Sequence, residues 1–254
     1  MSPWPGHALQ QALEPLVPGF AVAILDEVDS TNSELMRRAR AGRMEPLLLV
    51  AERQTAGRGR LGRQWKSNAT DSLTFSLGLP LAPADWSGLS LAVGVSLAES
   101  LHPQISLKWP NDLWFEMRKL GGILIETAST GEGREPSRYA VIGVGINIAA
   151  LPPAGLSTAP ACLRELLPGI DPAQALARIA EPLVRAVQAF EQTGFAAFRA
   201  RFDARDALRD RSVVLSDGTA GTAHGTSEDG ALLVHTARGM VSVTSSEVSV
   251  RPSS

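Results

Sequence analysis

The segment from Arg53 to Lys66 concentrates cationic and flexible residues in a chain that is otherwise close to neutral. It contains four arginines, one lysine, three glycines and no acidic residue, whereas the whole protein has a net charge of −2. Arginine forms bidentate hydrogen bonds with phosphate and carboxylate groups, and glycine lets a backbone fold closely over a ligand. Trp65 adds a flat face for a ring. The segment therefore predicts a site for several phosphates, or for two anionic substrates that repel each other.

Three other interpretations of this segment stay open at this point. Gly57, Gly59 and Gly62 match the spacing of the dinucleotide-binding fingerprint, but that motif requires a following helix, which residues 63–68 do not favour. An arginine–glycine segment can also bind nucleic acid, although the net charge of −2 argues against a polyanion-binding protein. The third possibility is a solvated basic loop without a ligand.

Three further motifs combine polar groups with tight backbone geometry. Residues 108–112 (Lys-Trp-Pro-Asn-Asp) place a lysine, an amide and a carboxylate around a rigid turn. Residues 118–124 bring two basic residues and two glycines into a predicted strand, and residues 143–147 alternate glycine with apolar residues. Glycine in a strand often marks the close approach of a ligand. An ordinary turn and close strand packing are the alternatives.

Several other classes of site are not indicated. The sequence has no phosphate loop of the G-x-x-x-x-G-K-[ST] type and no G-x-S-x-G nucleophile motif, and its four histidines lack metal-ligand spacing. Because Cys162 is the only cysteine, no internal disulfide can form, which fits a reducing compartment. Without a signal peptide or an apolar run of membrane-spanning length, a cytoplasmic location and no membrane association are predicted.

Hydrophobic periodicity predicts alternating strands and helices. Strands are expected at 20–28, 47–51, 72–79, 105–109, 113–115, 120–126 and 139–148. Helices are expected from Thr31, where a capping box with Glu34 is predicted, to Gly42, and at 86–101, 172–192 and 195–202. After Arg211, short strands alternate with glycine turns, as in a small barrel.

The pattern predicts an α/β (α+β) fold: a mixed β-sheet with helices packed on one face, followed by a small C-terminal β-barrel. The expected divisions are a proline-rich lead-in at 1–19, a catalytic domain at 20–205 and the barrel at 206–254. Nineteen residues before the first strand are too few for a helix-turn-helix module, so no DNA binding is predicted. The sequence leaves a monomer and a homodimer equally open.

Five motifs, in order, resemble those of the biotin protein ligase family. They are Asp29-Ser30-Thr31-Asn32, the glycine-arginine loop 57–65, and the motifs 108–112, 119–123 and 143–147. The similarity covers residues 25–150, and the small C-terminal barrel, which is SH3-like in the family, fits as well. The chain resembles the monofunctional type, without a DNA-binding domain. It departs from the family where Leu61 replaces a common basic residue, and where loop 149–161 lacks an aromatic partner for adenine.

The resemblance implies a two-step reaction with biotin, ATP and Mg²⁺ carried by ATP. The biotin carboxylate attacks the α-phosphate to give biotinyl-5′-AMP and pyrophosphate. A lysine amine of a biotin carboxyl carrier domain, in a biotin-dependent carboxylase, then attacks the mixed anhydride and releases AMP. A metal site built from protein ligands alone is not indicated.

The resemblance also implies roles for individual residues. Residues expected to bind biotin are Ser30, Thr31, Asn32, Gln54, Arg58, Gly59, Arg60, Lys119, Gly143 and Gly145, with the last two glycines leaving room beside the bicyclic ring. Residues expected on the ATP or adenylate side are Arg58, Arg60, Trp65, Lys108, Asn111 and Asn147. Lys119 and Arg58 are expected to stabilise charge in the transition state. Asp112 is the candidate for orienting or deprotonating the acceptor lysine, so Asp112→Asn should slow transfer more than adenylate formation.

The nearest alternative is a lipoate or octanoate ligase with the same fold. The loop 57–60 and the turn 108–112 resemble the motifs of biotin ligases more than those of lipoate or octanoate ligases. A non-catalytic biotin sensor is disfavoured by the presence of Lys119 and Arg58. A nucleic-acid-binding protein would show salt-sensitive binding to bulk DNA or RNA.

Overall fold

Seven strands form a mixed sheet at the centre of the molecule. The computed structural model describes residues 4–129, 138–150, 159–244 and 250–252. The strands are β1 (Ala21–Val28), β2 (Leu47–Gln54), β3 (Ser72–Leu81), β4 (Ser106–Lys108), β5 (Asp112–Phe115), β6 (Arg118–Ser129) and β7 (Arg138–Asn147). Their order is β1-β2-β3-β7-β6-β5-β4, in which β1 and β2 are parallel and the other neighbours are antiparallel.

The helices cover the two faces of this sheet unequally. They are α1 (Gly6–Leu13), α2 (Thr31–Arg40), α3 (Leu89–Leu101), α4 (Pro172–Thr193) and α5 (Ala196–Asp203). The apolar face, which includes Leu73, Phe75 and Leu77, belongs to one core with α1, α3, α4 and α5. This arrangement confirms the predicted mixed sheet, with α1, α3, α4 and α5 packed on one face. The opposite face carries α2 alone, through Leu35 and Ala39.

The start of α2 differs from the expectation because another residue caps it. Ser30, in extended conformation, is the N-cap, and its hydroxyl accepts a hydrogen bond from the Ser33 amide at 3.4 Å. The predicted capping box between Thr31 and Glu34 is wrong. Glu34 instead pairs with Arg37 and Arg38 at 2.9 and 2.8 Å, as i,i+3 and i,i+4 neighbours on a helix do. The side chain of Thr31 is thereby left to the interior.

A second, five-stranded antiparallel sheet follows α5. Its strands are β8 (Ser212–Leu215), β9 (Ala220–Thr226), β10 (Leu232–Thr236), β11 (Gly239–Val243) and β12 (Val250–Pro252), in the order β11-β10-β9-β8-β12. Its apolar residues, such as Val213 and Leu232, join the core of the main sheet. Leu107 also exchanges backbone hydrogen bonds with Arg205 and Ala207 at the junction. The division of the chain at residue 206 stays a prediction.

Several predicted boundaries shift by a few residues. Strand β2 continues to Gln54, three residues beyond the expected end, and β6 extends from Arg118 to Ser129. Helix α3 begins at Leu89, because Gly88 adopts a left-handed conformation with φ of 80°. Of the predicted loop 149–161, residues 151–158 lie outside the described part. No helix in the described ranges is long and apolar enough to cross a membrane.

Candidate active site

Small residues on one face of the three central strands create a hollow in the sheet. Ser76 of β3 is paired with Gly143 of β7, and Gly143 with Leu124 of β6. Side chains alternate between the faces of a strand, so these three residues share a face. The neighbouring row consists of Thr74, Gly145 and Gly122. The first turn of α2 and the arginine-rich segment lie over this hollow.

A buried polar cluster connects α2 to the floor of the hollow. Ser30, Thr31 and Asn32 are each no more than 3% exposed. The backbone and hydroxyl of Thr31 donate to Oε1 of Gln54 at 2.8 and 3.2 Å, and Ser76 donates to Oδ1 of Asn32 at 2.6 Å. The structure therefore brings together four residues predicted to bind biotin, and it orients their amide and hydroxyl groups through mutual bonds.

The arginine-rich segment is an ordered hairpin and not an open loop. Arg58 and Gln64 form a β-bridge, the Gly59 amide donates to the Arg63 carbonyl at 2.7 Å, and the Trp65 amide donates to the Gly57 carbonyl at 2.9 Å. A single 3₁₀ turn at Arg60–Gly62 reverses the chain. Leu61 has φ of 56° and is 59% exposed, so it directs an apolar side chain to solvent.

A cavity of about 500 Å³ lies beneath this hairpin, lined by residues 56–64 and Leu124. Its cationic groups are Arg58, Arg60 and Arg63. Arg58 pairs with Glu126 through two nitrogens, at 2.8 and 3.2 Å. Burial lowers the pKa of the Arg60 guanidinium, the negative charge of Asp112 opposes this shift, and the positive charge of Arg63 adds to it. A partly desolvated arginine gains more from an arriving anion than a hydrated one does.

Lys119 and Asp112 form the second charged centre of the site. The lysine ammonium donates to Oδ1 of Asp112 at 2.6 Å, with the carboxylate side chain 14% exposed. The ammonium lies over Gly122, where an added Cβ would be 3.3 Å from Nζ. Gly122 and Glu126 are four residues apart on one face of β6, about 13 Å in an extended strand. The face therefore carries one cation near each end, Lys119 and Arg58.

The two glycines of motif 143–147 accommodate protein side chains. A Cβ at Gly143 would overlap the carboxamide of Asn32, and a Cβ at Gly145 would overlap the indole of Trp65. Asn32 and Trp65 therefore lie over these glycines, and the expected room beside the biotin ring stays a prediction. The small size of the glycines lets Asn32 and Trp65 lie close to the sheet. The indole Nε1 of Trp65 is buried without a hydrogen-bond partner among the described residues.

Three residues predicted to bind the nucleotide contact other parts of the protein in this structure. The Asn111 amide donates to the Ile123 carbonyl at 2.8 Å, and the Asn147 amide donates to the Lys119 and Ala161 carbonyls at 3.2 and 3.0 Å. The Lys108 ammonium lies 5.3 Å from the centroid of the Trp114 ring. Asn111 and Asn147 thus hold β6 next to Gly122 and Lys119, which positions the charged centre. Binding of nucleotide by these residues stays a prediction.

Three residues that shape the site were not among those predicted from the sequence. Glu126 holds both Arg58 and Asn32, Ser33 accepts from Arg58 at 3.2 Å, and Ser76 bonds the α2 cluster. A signal for Ser76 existed. In β3, Ser72, Thr74, Ser76 and Gly78 alternate with large apolar residues, which marks a polar face on a central strand. Glu126, at the expected end of a strand, gave no comparable signal.

A mixed sheet with a cation-lined cavity under a glycine-arginine hairpin defines a class of protein that handles anionic small molecules. Two family models identify that class more closely. Residues 25–147 match the biotin/lipoate A/B protein ligase family, and residues 212–251 match the biotin protein ligase C-terminal domain. The chain belongs to the biotin/lipoate A/B protein ligase family.

Individual relatives agree with this assignment. The chain is 34% identical to the bifunctional ligase/repressor BirA of Escherichia coli, over 91% of this chain and 77% of the relative. It is 31% identical to the biotin–[acetyl-CoA-carboxylase] ligase of Paracoccus denitrificans, over 89% of this chain and 98% of the relative. The structure resembles a biotin protein ligase from Aquifex aeolicus in complex with biotin and ATP, with a TM-score of 0.74, 30% identity, and coverage of 91% and 99%.

Proposed function

We infer that this chain is an ATP-dependent biotin–protein ligase. It forms biotinyl-5′-AMP from biotin and ATP, and then transfers biotin to a lysine of a biotin carboxyl carrier domain. The observation that carries the proposal is the placement of Arg58, Arg60 and Lys119 around one face of β6. Two anions can meet there because fixed cations offset their repulsion.

The arrangement suggests which residue acts on which part of the substrates. Thr31, Asn32 and Gln54 offer oriented amide and hydroxyl groups to the polar end of biotin. Arg58 and Arg60 face the cavity and would contact the carboxylate and α-phosphate, together with Lys119. Gly59, Ser30 and the glycines at 143 and 145 would shape the walls. Trp65, Lys108, Asn111 and Asn147 belong to the nucleotide side of this proposal.

Magnesium would arrive with the triphosphate of ATP. The described residues contain no group of three or more His, Cys, Asp or Glu side chains that could hold a metal ion. Mg²⁺ commonly keeps several waters and binds through substrate phosphates, which suits such a site. A cytoplasmic location, the absence of DNA binding and the acceptor domain remain parts of the proposal. The choice between monomer and homodimer stays open.

The pairing of Asp112 with Lys119 supports a second role for this carboxylate. It would orient the ammonium, in addition to any contact with the acceptor lysine. If Asp112 deprotonates the acceptor lysine, then Asp112→Asn slows transfer more than adenylate formation. If Asp112 serves only to place Lys119, then Asp112→Asn lowers adenylate formation and transfer equally.

Incubation with biotin, ATP, magnesium and a biotin-accepting domain, followed by mass measurement of the acceptor, tests the proposal. Lipoate and octanoate in place of biotin test the other substrates of the same fold. Lys119→Ala and Arg58→Ala should each lower pyrophosphate release about 10²–10³-fold. Arg53→Ala, at an exposed ion pair with Glu27, is the matched control and should retain activity. Modification with lipoate alone, or no modification at all, would contradict the proposal.

A further inference from the structure

The carboxylate of Glu126 joins three separate parts of the site. Oε1 accepts from Nη2 of Arg58 at 2.8 Å, and Oε2 accepts from Nη1 of Arg58 at 3.2 Å. Oε2 also accepts from Nδ2 of Asn32 at 3.0 Å. One side chain of β6 therefore fixes both the arginine hairpin and the first turn of α2.

The partners of Asn32 define the direction of this network. Its amide nitrogen faces the Leu124 carbonyl at 3.1 Å and the Glu126 carboxylate, and both of these groups can only accept. Its amide oxygen must then face the hydroxyl of Ser76, at 2.6 Å. The hydroxyls of Ser76 and Thr31 are 2.7 Å apart, and the backbone amide of Thr31 donates to Gln54 at 2.8 Å, so the network extends to Gln54. Glu126 is thus the charged end of a chain of oriented groups in the floor of the site.

The ion pair by itself has a modest effect. The side chain of Arg58 is 47% exposed and that of Glu126 is 22% exposed, and ion pairs at that exposure contribute little. The main effect of the pair is on orientation, because two parallel hydrogen bonds fix the plane of the Arg58 guanidinium. The hairpin that carries Arg58 would otherwise lose conformational freedom at the moment of ligand binding, which weakens affinity.

We propose that Glu126 is a positioning residue that holds Arg58 and Asn32 in their binding arrangement before the substrates arrive. Only the expected effect on KM and kcat rests on the ligase function inferred above. Arginine has five N–H donors; Glu126 accepts from two of them and Ser33 from a third, so two remain for an arriving anion. The arriving anion and Glu126 therefore share Arg58, and catalysis at saturating substrate does not depend on Glu126.

Trypsin digestion of the full chain without ligands tests the structural part directly. The hairpin contains Arg58, Arg60 and Arg63, and cleavage there requires it to open. Glu126→Gln should increase the cleavage rate about two- to fivefold, the range for an exposed ion pair. The matched control is Glu99→Gln, which removes a bidentate pair with Arg201 between α3 and α5, away from the hairpin. The control should not change cleavage within residues 57–66.

A variant cycle separates this role from simple destabilisation of β6. In an Arg58→Ala background, Glu126→Gln should add no further cleavage at Arg60 and Arg63, because the partner is already absent. Equal effects of Glu126→Gln with and without Arg58 would overturn the proposal, and so would unchanged cleavage in the single variant.

Kinetics supply the readout that a general loss of structure would not produce. Glu126→Gln should raise KM for biotin about two- to fivefold, while kcat stays nearly unchanged. A lower KM would show that Glu126 competes with the substrate, and a matching fall in kcat would show a direct catalytic role; either result overturns the proposal. Digestion uses no ligand, so its result does not depend on which acid is the substrate. The positioning role of Glu126 and the biotin ligase function can therefore be contradicted independently.

Discussion

The ammonium of Lys119 lies 2.6 Å from Oδ1 of Asp112, and this pair connects two motifs that are separate in the sequence. The pair forms because β5 and β6 are antiparallel neighbours, with Asp112 opposite Gly122. Gly122 provides the open space over which the lysine side chain lies. Charge, strand register and a missing side chain therefore act together at one position.

Because the pair acts as a unit, we expect its two residues to be strongly non-additive. Lys119→Ala and Asp112→Ala should each lower the rate of adenylate formation by about 10²–10³-fold. The double variant should lose no more than about tenfold beyond the worse single variant. Pyrophosphate release from biotin and ATP measures this step alone. Full additivity of the two effects would mean that the residues act independently.

The glycines at 143 and 145 should resist enlargement for steric reasons. Gly143→Ala forces Asn32 away from the sheet, and Gly145→Ala forces Trp65 away, so each should lower the free energy of unfolding by about 1–3 kcal/mol. Chemical denaturation measures both. Gly59→Ala is the control, because its Cβ would meet its nearest neighbour at an ordinary 3.5 Å. Unchanged stability in the first two variants would show that these side chains have other places to lie.

Much of this architecture could be predicted because local patterns and global packing agree. The strands predicted at 72–79 and 139–148 correspond to β3 and β7, and the helix predicted at 172–192 is α4, which begins at a capping box between Asp171 and Gln174. The five motifs were found by type and order, since cation and glycine requirements are visible in a sequence.

The remainder depended on register and on partners far apart in the chain. Glu126 contacts Asn32, 94 residues away, and no local pattern encodes that contact. The capping prediction failed because Ser30 and Thr31 both suit an N-cap; the Thr31 hydroxyl instead donates to Gln54 and accepts from Ser76, and these tertiary bonds decide between them. The order within residues 57–66 also arises from cross-strand bonds that a glycine-rich composition does not suggest.

Two buried tryptophans differ in whether the indole N–H forms a hydrogen bond, which allows a matched comparison. Trp109 is fully buried and donates from Nε1 to the Gly230 carbonyl at 3.0 Å, which ties the C-terminal sheet to the turn at residues 108–112. Trp109→Phe should lower the free energy of unfolding by about 1–3 kcal/mol, because the carbonyl loses its partner. The Nε1 of Trp114 is buried without a partner among the described residues.

Trp114→Phe is therefore the control, since it removes no hydrogen bond. Its free energy of unfolding should stay within about 1 kcal/mol of the unmodified protein. Urea denaturation of both variants makes the comparison. A larger loss for Trp114→Phe than for Trp109→Phe would contradict the assignment of the Gly230 contact as a stabilising link between the two sheets.

Asp206, at the junction with the C-terminal sheet, should make stability depend on pH. Its Oδ1 accepts from the Leu208 amide at 2.8 Å, whereas its Oδ2 is buried without a partner in the described ranges. Burial raises the pKa of this carboxyl from 3.8 to about 6; the Leu208 bond and the charge of Arg209 oppose the shift, and the charges of Asp203 and Asp210 add to it.

Because the folded state prefers the protonated acid, Asp206 costs nothing below pH 3.8, and its cost grows as the pH rises to 6 and then stays constant. Asp206→Asn keeps the acceptor for Leu208 and removes the charge. It should raise the free energy of unfolding by up to about 3 kcal/mol at pH 7.5, but by less than about 1 kcal/mol at pH 4.0. Urea denaturation at the two pH values measures the difference. Asp217→Asn, in an exposed turn where bonds from Thr219 lower the carboxyl pKa, should give no gain at pH 7.5. An equal gain at both pH values for Asp206→Asn would mean that packing, and not ionisation, sets the cost.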